Sequence, residues 1–225
     1  MKKIFLIALL PLVCLISSCS KEPTDTIIIE GIVRDDLTLK SIRGVSVSAS
    51  AVSAVGFGRN EEVGRTITDA DGHYRLQLKI FKEAERLDFD INGGNLTDGY
   101  TYIQESIYTP LPDHHLLDFR LNPTALLKIK FKNATPVSNS DFFYFGWDGT
   151  GWTKGIVNKE YCGSIMPSQA STWTGKDVCG IYTIERIAER TTLIYWSVTK
   201  NNIITNYRDT VYVRRGIVNE FSLNY

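Results

Sequence analysis

Through the body of this chain apolar side chains recur at every second position, in short runs closed by turn residues. Tyr74, Leu76 and Leu78 alternate with His73, Arg75, Gln77 and Lys79, and Leu87, Phe89 and Ile91 alternate with Asp88 and Asp90. Leu127, Ile129 and Phe131 alternate with Lys128, Lys130 and Lys132, and Ile194, Trp196 and Val198 with Tyr195, Ser197 and Thr199. A period of two is the pleat of a strand that buries one face, so this pattern confines the chain to an all-β fold. Residues 27–34, 45–52, 117–121, 211–213 and 218–225 add further strands. Asp35-Asp36, Asn92-Gly93-Gly94, Asn122-Pro123, Asn201-Asn202 and Arg215-Gly216 punctuate them. Residues 65–68 and the alternation from Tyr74 read as a hairpin with a polar tip at Asp69-Ala70-Asp71-Gly72. Residues 80–86 are the one stretch with helical spacing. Short strands with frequent turns predict two small β-sandwiches in tandem, at 26–122 and 123–225.

Within the first half, three motifs occur in order: Gly31-Ile32-Val33-Arg34-Asp35, Ile42-Arg43-Gly44-Val45-Ser46-Val47, and Thr68-Asp69-Ala70-Asp71-Gly72-His73-Tyr74-Arg75-Leu76. Over roughly residues 27–121 this resembles the carboxypeptidase regulatory-like domain, a small sandwich related to transthyretin-like and collagen-adhesin B-type modules. The resemblance implies a transthyretin-like or Ig-like sandwich and a surface or uptake-accessory role, without peptidase activity. Physically, Gly44 permits a turn into the second strand, and Asp71-Gly72 closes a turn that aims Tyr74 into the core. Residues 53–62 and 97–115 depart from the pattern as an insertion and a long connection. The second half resembles no specific family.

The chain begins with Lys2-Lys3 followed by an apolar run over 4–16, shorter than the roughly 20 residues that span a membrane. Ile16-Ser17-Ser18-Cys19 follows directly and resembles a bacterial lipobox, in which small residues fit the signal peptidase and the cysteine thiol accepts the lipid. Residues 1–18 are expected to be a signal peptide and 19–25 a tether lipidated at Cys19, the alternative being an ordinary signal peptide that contains a cysteine. A multiply acylated cysteine anchors firmly. The expected location is the outer membrane, on the periplasmic or cell-surface face, with the membrane engaged through this lipid. Of the four cysteines, Cys162 and Cys179 then remain, and in an oxidising compartment they are expected to pair, two free thiols being the alternative.

With 25 basic and 25 acidic residues and no clustered basic face, nothing points to nucleic acid. Catalysis finds little support. Three histidines match no zinc pattern, no serine sits in a nucleophile elbow, and no glycine-rich phosphate loop occurs. Asp113-His114-His115 with Asp118 offers metal-ligand types, but the spacing matches no closed zinc pattern and the stretch reads as a polar loop entering a strand. Asp69-x-Asp71-Gly72 starts like a calcium loop but lacks the later ligands, and a turn explains it. A non-enzymatic protein without cofactor or metal is the expectation.

Aromatic residues carry the binding hypothesis. Trp147, Trp152, Trp173 and Tyr161 lie in a stretch rich in glycine, asparagine and aspartate, the three tryptophans in turn-like surroundings. Exposed rings there would stack on sugars or cover a protein surface; the alternative is that they cap the sandwich core. Asp25-Thr26-Ile27 and Asp209-Thr210-Val211 resemble an O-glycosylation sequon of exported proteins, with Thr26 and Thr210 as acceptors, or are chance tripeptides. The expected function is a surface interaction, adhesion or uptake-accessory module with a glycan or surface-protein partner. The alternative is a fimbrial-type structural subunit that assembles by strand exchange.

Overall fold

Alternation is realised as sixteen strands among the described residues, which are 24–54, 58–93, 99–149, 153–162 and 171–225 of a computed structural model. The first half contributes β1 (Thr24–Asp35), β2 (Ser46–Ser53), β3 (Arg59–Ile67), β4 (His73–Phe81), β5 (Arg86–Ile91), β6 (Ile103–Tyr108), β7 (His114–Leu116) and β8 (Phe119–Leu121). β1 is central in one sheet, with β4 antiparallel on one side and β7 then β8 parallel on the other. The second sheet runs β3-β2-β5-β6, antiparallel throughout. Ile27, Ile29 and Val33 of β1 and Tyr74, Leu76 and Leu78 of β4 share one core with Val47, Ala49, Ala51, Leu87, Phe89 and Ile91. Small Ala49 and Ala51 register beside bulky Phe89 and Leu87, so small and large side chains alternate across the strand pair.

Two local readings are corrected. Residues 69–72 do not close a hairpin: β3 pairs with β2 while β4 pairs with β1, so the turn carries the chain from one sheet to the other. Asp69 Oδ1 holds that turn by accepting from the N–H groups of Asp71 and His73, both at 2.9 Å. Residues 80–86 form no helix. Ile80 and Phe81 complete β4 as buried residues, and the Ala84 N–H then closes a turn on the Phe81 carbonyl at 3.0 Å. The long connection at 97–115 holds β6 and the cis peptide Thr109-Pro110.

The second half contributes β9 (Thr124–Lys132), β10 (Phe142–Trp147), β11 (Ile156–Tyr161), β12 (Thr172–Thr174), β13 (Cys179–Ile187), β14 (Arg190–Lys200), β15 (Ile203–Val213) and β16 (Asn219–Asn224). They form sheets β12-β10-β14-β15 and β11-β13-β9-β16 around a separate core containing Leu127, Ile129, Phe131, Ile194 and Val198. No sheet mixes strands of the two halves among the described residues.

At the junction Tyr100 bridges Pro123, the Thr124 N–H donates to the Gly99 carbonyl at 2.7 Å, and the Ala188 N–H donates to the Pro123 carbonyl at 2.8 Å. Arg215, in the loop before β16, reaches the buried carboxylate of Asp35 at the end of β1 at 2.7 Å and donates to the Tyr100 hydroxyl at 2.9 Å. The two sandwiches are thus tied at one end by backbone and by charge.

Candidate functional site

Because β1 and β4 bury their alternate residues, their remaining side chains line the outer face of the sheet. Register then decides which of them meet. Glu30 lies opposite Arg75 on β4 and is flanked on the other side by β7, whose His114 Nε2 donates to Glu30 Oε1 at 3.0 Å. The hydrogen bond from Arg75 holds the Glu30 carboxyl below its ordinary value against the cost of burial, and His114 adds to the lowering.

One residue further along, the third strand of this sheet breaks between β7 and β8. A Cβ on Gly31 would lie 1.9 Å from the Leu117 carbonyl oxygen, so only glycine admits this close approach. In the gap Asp118 Oδ1 accepts the Ile32 N–H at 2.8 Å while Oδ2 accepts Arg34 Nη1 at 2.6 Å. Burial pushes the Asp118 carboxyl up, but the Ile32 N–H and Arg34 outweigh it and bring it below its usual value. The Leu117 carbonyl accepts the Tyr74 hydroxyl at 2.6 Å, which pins the break to the core.

Together these residues border an open groove of about 780 Å³ walled by Glu30, Ile32, Ile67, Arg75, Leu116 and Asp118. Leu116 is 72% exposed and Ile67 63% exposed, so two aliphatic side chains flank fixed charges of both signs. Such a surface suits a segment that presents apolar and charged groups together, as a protein chain does.

The residues singled out from sequence fall elsewhere. Trp173 is wholly buried: its ring lies 4.5 Å from Phe131 and stacks on Phe145 at 5.4 Å and 3° between planes. It therefore presents no face to a ligand, and the expectation that it lines a binding surface is corrected. β12 places it there by pairing Trp173 with Phe143 of β10. Trp147 is half-buried at 6.1 Å from Phe145, and Tyr161 is half-buried with its hydroxyl 3.2 Å from that of Tyr182. Trp152 and Cys19 lie outside the described residues. Cys162 and Cys179 are joined by a disulfide with Cα atoms 5.5 Å apart, linking the end of β11 to the start of β13. Thr26 is exposed on the outer face of β1, and Thr210 is exposed on β15.

No family model matches the chain. No curated protein matches it either. Among solved structures it is similar to a streptococcal ancillary pilin (12% identity over 88% of this chain and 62% of that one, TM-score 0.37). It is similar also to the shaft pilin SpaA of Lactobacillus rhamnosus GG (13% identity, 90% and 98% covered, TM-score 0.33). The major pilin subunit BcpA of Bacillus cereus gives 13% identity with 84% and 69% covered and a TM-score of 0.30. At these TM-scores the superpositions are loose, and the two-sandwich architecture stands on the strand pairing alone.

Proposed function

We propose that this chain is a non-catalytic surface interaction module, held at the outer membrane by a lipid on Cys19, that takes a protein segment into the groove on its first sandwich. The observation that carries this reading is the exposed pair Leu116 and Ile67 beside the Glu30 and Arg75 charges. Isolated exposed aliphatics are ordinary on a soluble protein, whereas a concave surface joining them to fixed charges has the composition of a recognition site. A protein partner is preferred to a glycan because the rings that would stack on sugars are drawn into the core at Trp173 and partly so at Trp147 and Tyr161.

A photo-crosslinking residue at Leu116 is expected to give a discrete protein adduct in intact cells, and one at Val157, 49% exposed on the second sandwich, none. Absence of a Leu116-specific adduct defeats the groove reading. Cys19→Ala is expected to block processing or release the chain from the membrane fraction, because the thioether carries the anchor. Unchanged fractionation defeats the anchor.

A second reading, strand exchange between subunits, is favoured by one feature. β1 is paired on both sides and buries Ile27, Ile29 and Val33, so its removal opens a slot that a donated strand can fill. It requires ladders of polymers in size-exclusion chromatography.

A further inference from the structure

β15 ends the sheet β12-β10-β14-β15, and no strand pairs with its outer edge among the described residues. Proteins usually spoil such an edge with proline, lysine, a bulge or short length. β15 has no proline, lysine or bulge and is not short; its only charges are the adjacent, opposite pair Arg208 and Asp209. Its 11 residues run in unbroken register with β14, from Arg190 opposite Val213 to Lys200 opposite Ile203. Ile203, Ile204, Tyr207 and Tyr212 along it are 68%, 66%, 46% and 51% exposed.

The direction of the free backbone groups follows from the turn. Asn201 and Asn202, at φ of 51° and 61°, form a two-residue loop, which makes Lys200 and Ile203 a hydrogen-bonded pair. Counting in twos, Ile203, Thr205, Tyr207, Asp209 and Val211 bond to β14. Ile204, Asn206, Arg208, Thr210 and Tyr212 turn their N–H and C=O groups outward. Two contacts agree with this phase. The carbonyl of Leu193, opposite Thr210, accepts from the Asp148 N–H at 3.0 Å on the far side of β14. The outward N–H of Thr210 is met by the carboxylate of its neighbour Asp209 at 2.7 Å.

We propose that a second copy of this chain pairs along this edge, β15 antiparallel to β15 about a two-fold axis. In a symmetric pair outward residues must face outward residues, so only alternate registers are open. The register centred on Arg208 sets it against the partner's Arg208, and the one centred on Asp209 sets it against the partner's Asp209. Like charges directly opposite are destabilising. Centring on Tyr207 removes both conflicts. Tyr207 then meets the partner's Tyr207 at a non-hydrogen-bonded site, where side chains come closest. Asn206 meets the partner's Arg208, Thr205 meets the partner's Asp209, and Ile203 meets the partner's Val211. Asp209 exchanges the Thr210 N–H for the partner's Thr205 hydroxyl, which frees that N–H for the new ladder. Trp196 already stacks on Tyr207 with ring centroids 5.3 Å apart, so the central tyrosine is held in place for the contact.

Cysteine scanning on the full chain in its native membrane tests the pairing. With Cys162 and Cys179 bonded to each other, Tyr207→Cys is expected to give a disulfide-linked dimer on mild oxidation, while Arg208→Cys and Asp209→Cys stay at the level of the parent chain. Asn206→Pro removes an outward N–H and no bond to β14, so adding it is expected to abolish the Tyr207→Cys dimer. A cooperative urea transition checks that this variant is folded, and the three cysteine variants decide the register without it. No dimer from Tyr207→Cys, stronger linkage at position 208 or 209, or a dimer unaffected in folded Asn206→Pro overturns the proposal. Polymers of the parent chain overturn it too, because a two-fold edge closes on itself.

Discussion

Asp35 is 1% exposed and accepts hydrogen bonds from the N–H groups of Leu37 and Thr38, both at 2.9 Å, and from the Tyr100 hydroxyl at 3.0 Å, with Arg215 alongside. Burial pushes its carboxyl up. The donors and the Arg215 charge outweigh that and leave it below the ordinary aspartate value. A carboxyl lowered on folding contributes stability that is present above its unfolded value, about pH 4, and lost as pH falls through the folded value. Urea midpoints of the parent chain are therefore expected to fall on acidification below about pH 4, and those of Asp35→Ala to fall less. At neutral pH, Asp35→Ala strands several donors and is expected to cost about 3 kcal/mol by the same melts. The sequence at Asp35-Asp36 reads only as a turn, since Tyr100 and Arg215 lie too far along the chain for any local pattern to join them.

Strand alternation was legible because it is written into adjacent residues, and the inward set at Tyr74, Leu76 and Leu78 is buried as the pattern requires. Connections were less so. The Asp69 turn has the same local chemistry whether the chain folds back on β3 or crosses to β1, and the choice is made by burial against Ile27 and Ile29, more than forty residues upstream of Tyr74. The groove was missed for the same reason: Glu30, Arg75 and Leu116 meet only through the registers of three distant strands. Trp173 was misplaced because its glycine- and serine-rich neighbours resemble a loop, whereas three residues of β12 suffice to lay the ring into the core. Two expectations belong to this scale. Gly31→Ala drives a methyl into the Leu117 carbonyl and is expected to cost about 3 kcal/mol, read as a lowered urea midpoint. Replacing Cys162 and Cys179 by serine frees a loop with a sequence separation of 17 and is expected to cost about 3 kcal/mol. Thiol titration of the unfolded, unreduced parent should find neither cysteine free.

Among the described residues the two cores are separate, and the Arg215 bond to Asp35 is a charged tie between the two halves. Arg215→Ala is expected to leave each sandwich folded while widening the distribution of their relative orientations. Small-angle scattering would register this as an increased radius of gyration and a longer maximum dimension; an unchanged curve assigns the fixed geometry to the backbone contacts at Pro123. The course of β1 has a mechanical consequence. It runs from the proposed membrane tether at Thr24 to the junction at Asp35, with hydrogen-bonded neighbours on both flanks. A pull between the membrane and the second sandwich acts along that strand, at right angles to its β4 hydrogen bonds, which are therefore loaded together in shear instead of being unzipped one by one.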